Sequence, residues 1–327
     1  MKKVIGIGEC CVDFIAQTAR IPKTDCCVPL HGTSWQGGGK VATALAALGR
    51  LGMQADMISA VGDDPYGRFV LKDFRRNGVN VEHVVVVPGG QTDFCIALAE
   101  EGTQGRSFIG RFGGLPALSA RQLDARHLAQ AAYLHLEAID ECTLAAIACV
   151  HENGGKTAID ADRYHPEIEA NLSKIDIFIG SEYYFSGMFP DAQPEKTEDY
   201  APFLAKIHAA GPEIAVITLG ARGCVGMDEK GFFSVPAFRN VRILDTTGAG
   251  DVFHGGYLYA LAQGMDARAA ARFASAVSAI KCTSPGGRSG IPTAHVVERF
   301  LETGEIDPAE AERWVRYYEN AIFENER

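Results

Sequence analysis

Leu244-Asp-Thr-Thr-Gly-Ala-Gly-Asp251 runs directly into Val252-Phe-His-Gly-Gly-Tyr-Leu-Tyr-Ala-Leu261, a helical pattern. Small residues at 248 to 250 let backbone N–H groups converge on one point at a helix N-terminus, where the macrodipole favours negative charge. The amides of Gly248, Ala249 and Gly250 are therefore expected to form an anion hole. Asp251, on the first turn beside it, is placed to take a proton from an attacking hydroxyl while the amides hold charge on a transferred phosphoryl group. For Gly-Ala-Gly-Asp taken alone, the competing reading is a glycine-rich loop with Asp as a helix cap.

Outward from this string, short apolar runs bounded by turn residues recur at 4–7, 57–61, 131–136, 156–159, 175–179 and 214–218. Amphipathic helical stretches at 41–51, 67–77, 142–152, 202–210, 252–263 and 267–281 mostly alternate with them. That alternation predicts βαβ units and a doubly wound, mostly parallel α/β sheet flanked by helices. We expect one domain over residues 1–327. Two stretches break the rhythm, at about 13–36 and 92–111. In the second, Thr92-Asp-Phe-Cys-Ile-Ala-Leu-Ala99 and Arg106-Ser-Phe-Ile109 flank Glu101-Gly-Thr-Gln-Gly105, the length and turn chemistry of a β-hairpin. These inserts predict a small β-strand lid, or else a plain surface hairpin. Asp307-Pro308 starts a last helix, carrying Trp314, Val315 and Tyr318, that reads as accessory packing.

Bulk composition narrows the chemistry. The chain has 327 residues, 47% apolar, and a formal net charge of -10. Without a concentrated basic patch, that charge argues against nucleic acid or an anionic membrane as partner. Nine cysteines include the adjacent pairs Cys10-Cys11 and Cys26-Cys27 and no Cys-x-x-Cys or zinc spacing. The first residues enter a strand pattern with no signal-peptide h-region, and no 18-residue apolar span occurs. A reducing compartment, hence a cytoplasmic location, is expected.

The Asp-Thr-Thr-Gly-Ala-Gly-Asp-Val-Phe-His-Gly-Gly string closely resembles the C-terminal signature of the ribokinase-like, or PfkB, carbohydrate kinases. That resemblance implies an ATP-dependent kinase that phosphorylates an alcohol of a small sugar or sugar derivative, with Asp251 as base and the Gly248, Ala249 and Gly250 amides as anion hole. Gly37-Gly-Gly-Lys-Val-Ala-Thr-Ala-Leu-Ala-Ala-Leu-Gly-Arg-Leu-Gly52 is similar to the family's N-terminal signature. By register it places Gly38, Gly39, Lys40 and Thr43 at the sugar, Thr43 standing where many members have Asn. Asp13 matches the family's early aspartate, and a carboxylate suits paired sugar hydroxyls because it accepts two donors at once. Val61-Gly-Asp-Asp-Pro-Tyr-Gly67 is similar to a family turn and reads as structural.

On the nucleotide side, Val216-Ile-Thr-Leu-Gly-Ala-Arg-Gly223 resembles the family's strand and loop beside ATP, implying Thr218, Gly220 and Gly223, with Ser278 grouped there too. Phe178-Ile-Gly-Ser-Glu-Tyr-Tyr184 falls where many members carry Asn-x-x-Glu near magnesium; Ser181 replaces the Asn, Tyr184 replaces the Glu, and Glu182 is the nearest acid. ATP and Mg2+ are the implied cofactors. A monovalent cation such as K+ is implied behind the anion hole, with Asp245 and Thr247 and carbonyls near residues 282–289 as candidates; bracing the loop is the alternative role for Asp245. Residues 272–275 and 281–292 look like a subgroup that includes sulfofructose kinase. Sulfonate recognition calls for a strong donor in the acceptor pocket, yet the 133–140 segment offers Glu137 and Asp140 there.

A neutral sugar, a sugar acid, an aminated sugar or a nucleoside all stay open as acceptors, and Arg111 or Lys40 could meet an anionic one; for Arg163, in Asp160-Ala-Asp162-Arg163, the resemblance implies contact with substrate or phosphate, and a structural salt bridge is the alternative. The family's frequent use of such lids in dimerisation implies a homodimer. Two other classes compete with this one. A dinucleotide oxidoreductase would use Gly6-Ile-Gly8, but Cys11 stands where the third glycine of Gly-x-Gly-x-x-Gly belongs. A non-catalytic sugar-binding regulator would not need a base aimed at an anion hole.

Overall fold

The computed structural model describes residues 2–100, 102 and 106–323. Its first half runs β1 (Lys3–Ile7), β2 (Cys11–Thr18), β3 (Leu30–Gly38), α1 (Lys40–Arg50), β4 (Gln54–Gly62), α2 (Pro65–Arg76), β5 (Val79–Asn80), β6 (Val84–Val87), β7 (Asp93–Glu100), β8 (Arg106–Arg111), α3 (Ala125–Leu128), β9 (Ala131–Leu136) and α4 (Glu141–Glu152). It continues with β10 (Lys156–Ala161), α5 (Pro166–Ala170), β11 (Ile177–Ser181), α6 (Glu182–Met188), α7 (Ala201–Ala209), β12 (Ile214–Thr218), β13 (Cys224–Asp228), β14 (Gly231–Val235), α8 (Ala249–Ala262), α9 (Ala267–Lys281), α10 (Ala294–Thr303) and α11 (Pro308–Asn320).

The main sheet has the order β14-β13-β12-β11-β10-β9-β1-β4-β5, with β6 pairing the far end of β4. From β12 to β5 the pairs are parallel, and β13 and β14 add an antiparallel edge. Its strands read as unbroken apolar runs because both faces are covered. Val4, Met57, Tyr133, Ala158 and Val216 pack into one layer with α1, α2, α8, α9 and α10. Their neighbours Ile5, Ile58, Leu134, Ile159 and Ile217 point the other way, into α3 to α7. Each such side chain, fully buried, contributes about 1.5–3 kcal/mol of transfer free energy.

Helix starts follow local chemistry. Asp64 accepts from the Gly67 amide ahead of Pro65, Asp140 forms a capping box with Thr143, and Asp266 accepts from Ala269. All six expected strands and all six expected helices are present. The 175–179 run starts two residues late, because the Ile175 amide closes a turn onto Leu172 O at 3.1 Å.

The two stretches outside the alternation form a second, four-stranded sheet, β3-β2-β7-β8. β7 and β8 are antiparallel from Ala99↔Arg106 to Phe94↔Arg111. Apart from Gly102, the turn expected at 101–105 lies outside the described residues. Its free edge strand β8 exposes Phe108 and Ile109. α11 packs on β3 as an accessory helix, but it also enters a buried polar node: the Tyr318 hydroxyl donates to Asp73 at 2.7 Å and meets Arg50 Nη2 at 3.3 Å. No helix among the described residues is long and apolar enough to cross a membrane.

Candidate active site

A doubly wound sheet presents a crevice at the carboxyl ends of its strands where the strand order reverses. Here that point lies between β1 and β9, whose C-terminal extensions carry Glu9 and Glu137. The Glu9 amide donates to Glu137 Oε1 at 2.5 Å. Around this crevice the sequence converges from distant places.

α8 begins at its edge. Gly248 caps the helix at φ +72°, and a Cβ there would lie 2.8 Å from Gly287 Cα, so both backbone conformation and close approach demand glycine. Of the three amides expected to form the anion hole, Ala249's is turned back onto Thr246 O at 3.2 Å. Among the described residues, those of Gly248 and Gly250 have no acceptor in a turn, cap or loop bond. Gly250 is exposed, and a Cβ built on it would meet nothing within 4 Å. Of the three, the Gly248 and Gly250 amides stay candidates for an anion hole, because the third closes the turn. The Ser278 hydroxyl, on α9, fixes this turn by donating to Ala249 O at 2.8 Å.

Asp251 follows, partly exposed at the first turn of α8. Burial lifts its carboxyl well above the ordinary aspartate value, and repulsion from Asp160, Glu137 and Asp162 adds to this, with Lys40 opposing. Lys40 is the first residue of α1, partly exposed. Burial alone would lower its ammonium, yet Asp160, Glu137, Asp162 and Asp251 together hold it above the usual lysine range. Burial likewise raises Glu137 to about 7 and Asp160 to about 6, again against the pull of Lys40. One lysine therefore sits among four carboxylates, three of them pushed toward their neutral forms.

The loop before Lys40 lies on Asp13. A Cβ on Gly38 would fall 2.4 Å from Asp13 Oδ2, and Gly39 turns the chain into α1 at φ +95°. Burial raises Asp13 above the usual carboxylate range, with the Cys11 thiol donating to it at 3.3 Å and Arg288 opposing. Thr43 is placed differently from the expectation. It is buried, with Oγ1 3.5 Å from Arg288 Nε, so its hydroxyl faces a fully buried guanidinium rather than open space. Arg288 also donates to Gly38 O at 3.2 Å and pairs with Asp73.

The nucleotide-side residues gather at the ends of β11 and β12. Thr218 Oγ1 donates to Gly180 O at 3.3 Å, Gly220 opens an exposed turn with nothing within 4 Å of a built Cβ, and Gly223 closes it at φ +93°. Glu182 is ion-paired with Arg222 and lies 3.5 Å from the Tyr200 hydroxyl. Arg163 is exposed beside the Tyr183 ring, and Arg111 is exposed on β8, donating to Thr92 O at 2.9 Å.

Behind the glycine turn lies a residue the motif reading left without a role. Lys281, wholly buried at the end of α9, donates to Asp245 O at 2.9 Å and to Thr247 O. The Asp245 carboxylate accepts from the Thr247 and Gly286 amides, both at 2.7 Å. Burial works against that carboxylate's charge, but Lys281 and these two amides outweigh it and hold Asp245 below its ordinary value. Beneath Asp251, His135, Asp160 and His254 form a second unforeseen cluster, with His254 Nε2 3.4 Å from Asp160. Burial lowers both histidines to about 3, so they are neutral. A sequence signal existed for each: a polar residue interrupting an apolar strand run at His135 and Asp160, and a lysine closing an otherwise apolar helix face at Lys281.

The chain can now be set beside known proteins. A family profile described as pfkB family carbohydrate kinase matches residues 1–294. The ribokinase of Bacillus subtilis is 27% identical over 305 residues, 92% of this chain and all of that protein. An ATP-dependent ribose-1-phosphate kinase of Halopiger xanaduensis is also 27% identical, over 92% of this chain and 98% of its own length. A putative ribokinase from Agrobacterium tumefaciens superposes with a TM-score of 0.83 at 25% identity, covering 93% and 98% of the two chains. The Arabidopsis thaliana ribokinase, complexed with ribose and ATP, shares the fold at a TM-score of 0.79 and 21% identity, over 92% and 99%. With a profile match spanning nearly the whole fold and the glycine turn, Lys40 and Asp251 assembled at one crevice, the chain belongs to the pfkB family of carbohydrate kinases.

Proposed function

We propose that this kinase transfers the γ-phosphoryl group of ATP to a hydroxyl of a small, uncharged or amine-bearing sugar derivative, with Asp251 as general base. The observation that carries the reading is the pairing of an acid on the first turn of α8 with two uncommitted amides, Gly248 and Gly250, at the same helix start. The open space at Gly250 and Gly220 suits phosphate and nucleotide, which would lie across the α8 start toward Thr218, Gly223 and Ser278. Mg2+ bound with ATP would neutralise phosphate charge; Glu182, already paired with Arg222, is the nearest acid in the altered motif.

The protein's own part follows from position. Asp251 takes the proton of the attacking hydroxyl, and its raised proton affinity suits that task near neutrality better than an ordinary carboxylate would. The two amides hold the charge that develops on the transferring group, at fixed geometry and beside the positive end of the α8 dipole. Lys40 balances the crowd of carboxylates so that Asp251 can be ionised at all. Asp13, braced against Gly38, accepts hydrogen bonds from the hydroxyls of the acceptor, and Glu137 stands beside Gly8 and the Glu9 amide at the same crevice. This acidic acceptor wall is the reason a sulfonate or phosphate ester is disfavoured.

We assign the second sheet, β3-β2-β7-β8, as a lid over the acceptor, and its exposed Phe108 and Ile109 edge as the homodimer contact. Nine free thiols fit a reducing, cytoplasmic setting. The test is ATP consumption with magnesium over a panel of neutral, acidic, aminated and nucleoside acceptors, followed by Asp251→Asn with the best of them. Turnover should fall by about three orders of magnitude or more while ATP binding persists. Unchanged turnover would remove Asp251 from the role.

A further inference from the structure

Family resemblance implies a monovalent cation behind the anion hole, held by loop carbonyls near Asp245, Thr247 and residues 282–289. The residues of this chain do not fit one. The carbonyls of Asp245 and Thr247 both accept from the Lys281 ammonium. Cys282 O is engaged as well, accepting from the amides of Leu244 at 2.8 Å and Asp245 at 3.2 Å. A free cation would have to share these oxygens with a fixed positive charge in a fully buried space, where like charges repel strongly.

We propose that Lys281 is a built-in monovalent cation that positions the anion hole, so that the enzyme needs no K+. Three features support this beyond the contacts themselves. Lys281 is the last residue of α9, where the helix dipole favours a positive charge. Its two carbonyl partners flank Thr246, whose own carbonyl closes the turn through Ala249. One turn earlier on the same helix face, Ser278 holds Ala249 O. α9 thus grips residues 245–249 at three carbonyls, and the ammonium supplies the positive charge without which the converging oxygens would repel one another. Carbonyl oxygens that coordinate a dehydrated K+ can equally accept the hydrogen bonds that an ammonium's N–H groups donate, which is what lets one replace the other. Lys281 acts through the turn and touches neither substrate, so it is a positioning residue.

The role in turnover rests on the kinase reading above, and the test separates the two. Thermal unfolding of the ligand-free protein is compared in potassium, sodium and tetramethylammonium chloride at equal ionic strength, and turnover is measured in the same three salts. For the wild type, the midpoint and kcat should be the same in all three. Lys281→Ala should lose about 10²-fold in kcat with the acceptor KM little changed, as expected for a displaced anion hole. Potassium, which can refill the vacated space, should then raise both its midpoint and its kcat, while tetramethylammonium should not. A wild type stabilised or activated several-fold by K+ overturns the proposal, and so does a folded Lys281→Ala that keeps wild-type kcat or shows no cation-selective recovery. If the variant does not fold, the wild-type comparison decides. If no acceptor supports ATP consumption, the kinase reading fails, and the unfolding midpoints still decide whether the site takes K+.

Discussion

Replacing Gly248 by alanine tests the anion hole at the point where the backbone is most constrained. At φ +72° a residue with a Cβ occupies the left-handed region, at a cost of about 1–2 kcal/mol. The new Cβ would lie 2.8 Å from Gly287 Cα and 3.1 Å from Gly287 O, both backbone atoms that cannot swing aside as a flexible side chain would. Relieving that contact requires a shift of several tenths of an ångström and adds about 1–3 kcal/mol of overpacking. The total, about 2–5 kcal/mol, is read from the urea midpoint at unchanged m-value. The same shift moves the 248 amide relative to Asp251, so kcat should fall by about 10- to 100-fold with acceptor KM nearly constant. Gly250→Ala is the internal control. It lies inside α8, with open space at its Cβ, so it should leave stability unchanged or raise it by up to about 1 kcal/mol. If Gly248→Ala were as stable as Gly250→Ala and turned over like the wild type, the close-packed glycine turn would be irrelevant to catalysis and the argument for the hole would fail.

Other perturbations address the charge cluster and the support beneath the sugar loop. Glu137 goes from an ordinary 4.5 to about 7 on folding, so it favours the folded state below about pH 4.5 and that contribution is lost as pH rises through 7. Glu137→Gln should therefore stabilise the ligand-free protein at pH 8 by on the order of 2 kcal/mol and have no such effect near pH 4, in thermal melts across that range. Removing the like charge of Asp160 with Asp160→Asn should lower the proton affinity of Asp251 and move the acid limb of kcat/KM to lower pH; a limb moving upward would contradict the cluster's electrostatics. Arg288→Met leaves Asp73 without its guanidinium and should cost about 3–5 kcal/mol, while Arg288→Met with Asp73→Leu should cost clearly less than the two singles summed. Strict additivity in that cycle would show that the pair is not coupled.

Much of this was legible in the chain itself. Continuous apolar runs alternating with amphipathic helices leave little choice but a covered parallel sheet, and the glycine string before Asp251 names its own geometry because only glycine tolerates the Gly248 conformation. What stayed hidden is contact between residues far apart in sequence. Thr43 reads as a sugar contact by register, yet it faces Arg288, 245 residues away, and no local pattern discloses that. Three amides are expected at the anion hole, yet the Ala249 N–H closes its own turn, a detail of one hydrogen bond that the string does not disclose. Lys281 and His135 look like ordinary interruptions of apolar segments, and their meaning comes only from what the fold brings against them.

The polar node under the glycine turn at 37–39 joins distant parts of the polypeptide. Arg50, at the end of the first helix, meets Tyr318, 268 residues later, and Tyr318 in turn holds Asp73, the partner of the arginine that supports Gly38. The family match stops at residue 294, before this tyrosine is reached. During synthesis, then, the glycine turn at 37–39 emerges long before the Tyr318 phenol that completes its underpinning, so its support is complete only after α11 has been made. Contacts of such long sequence separation also slow folding, so the stiffening of this turn depends on α11 rather than on the folding of the segment that carries it.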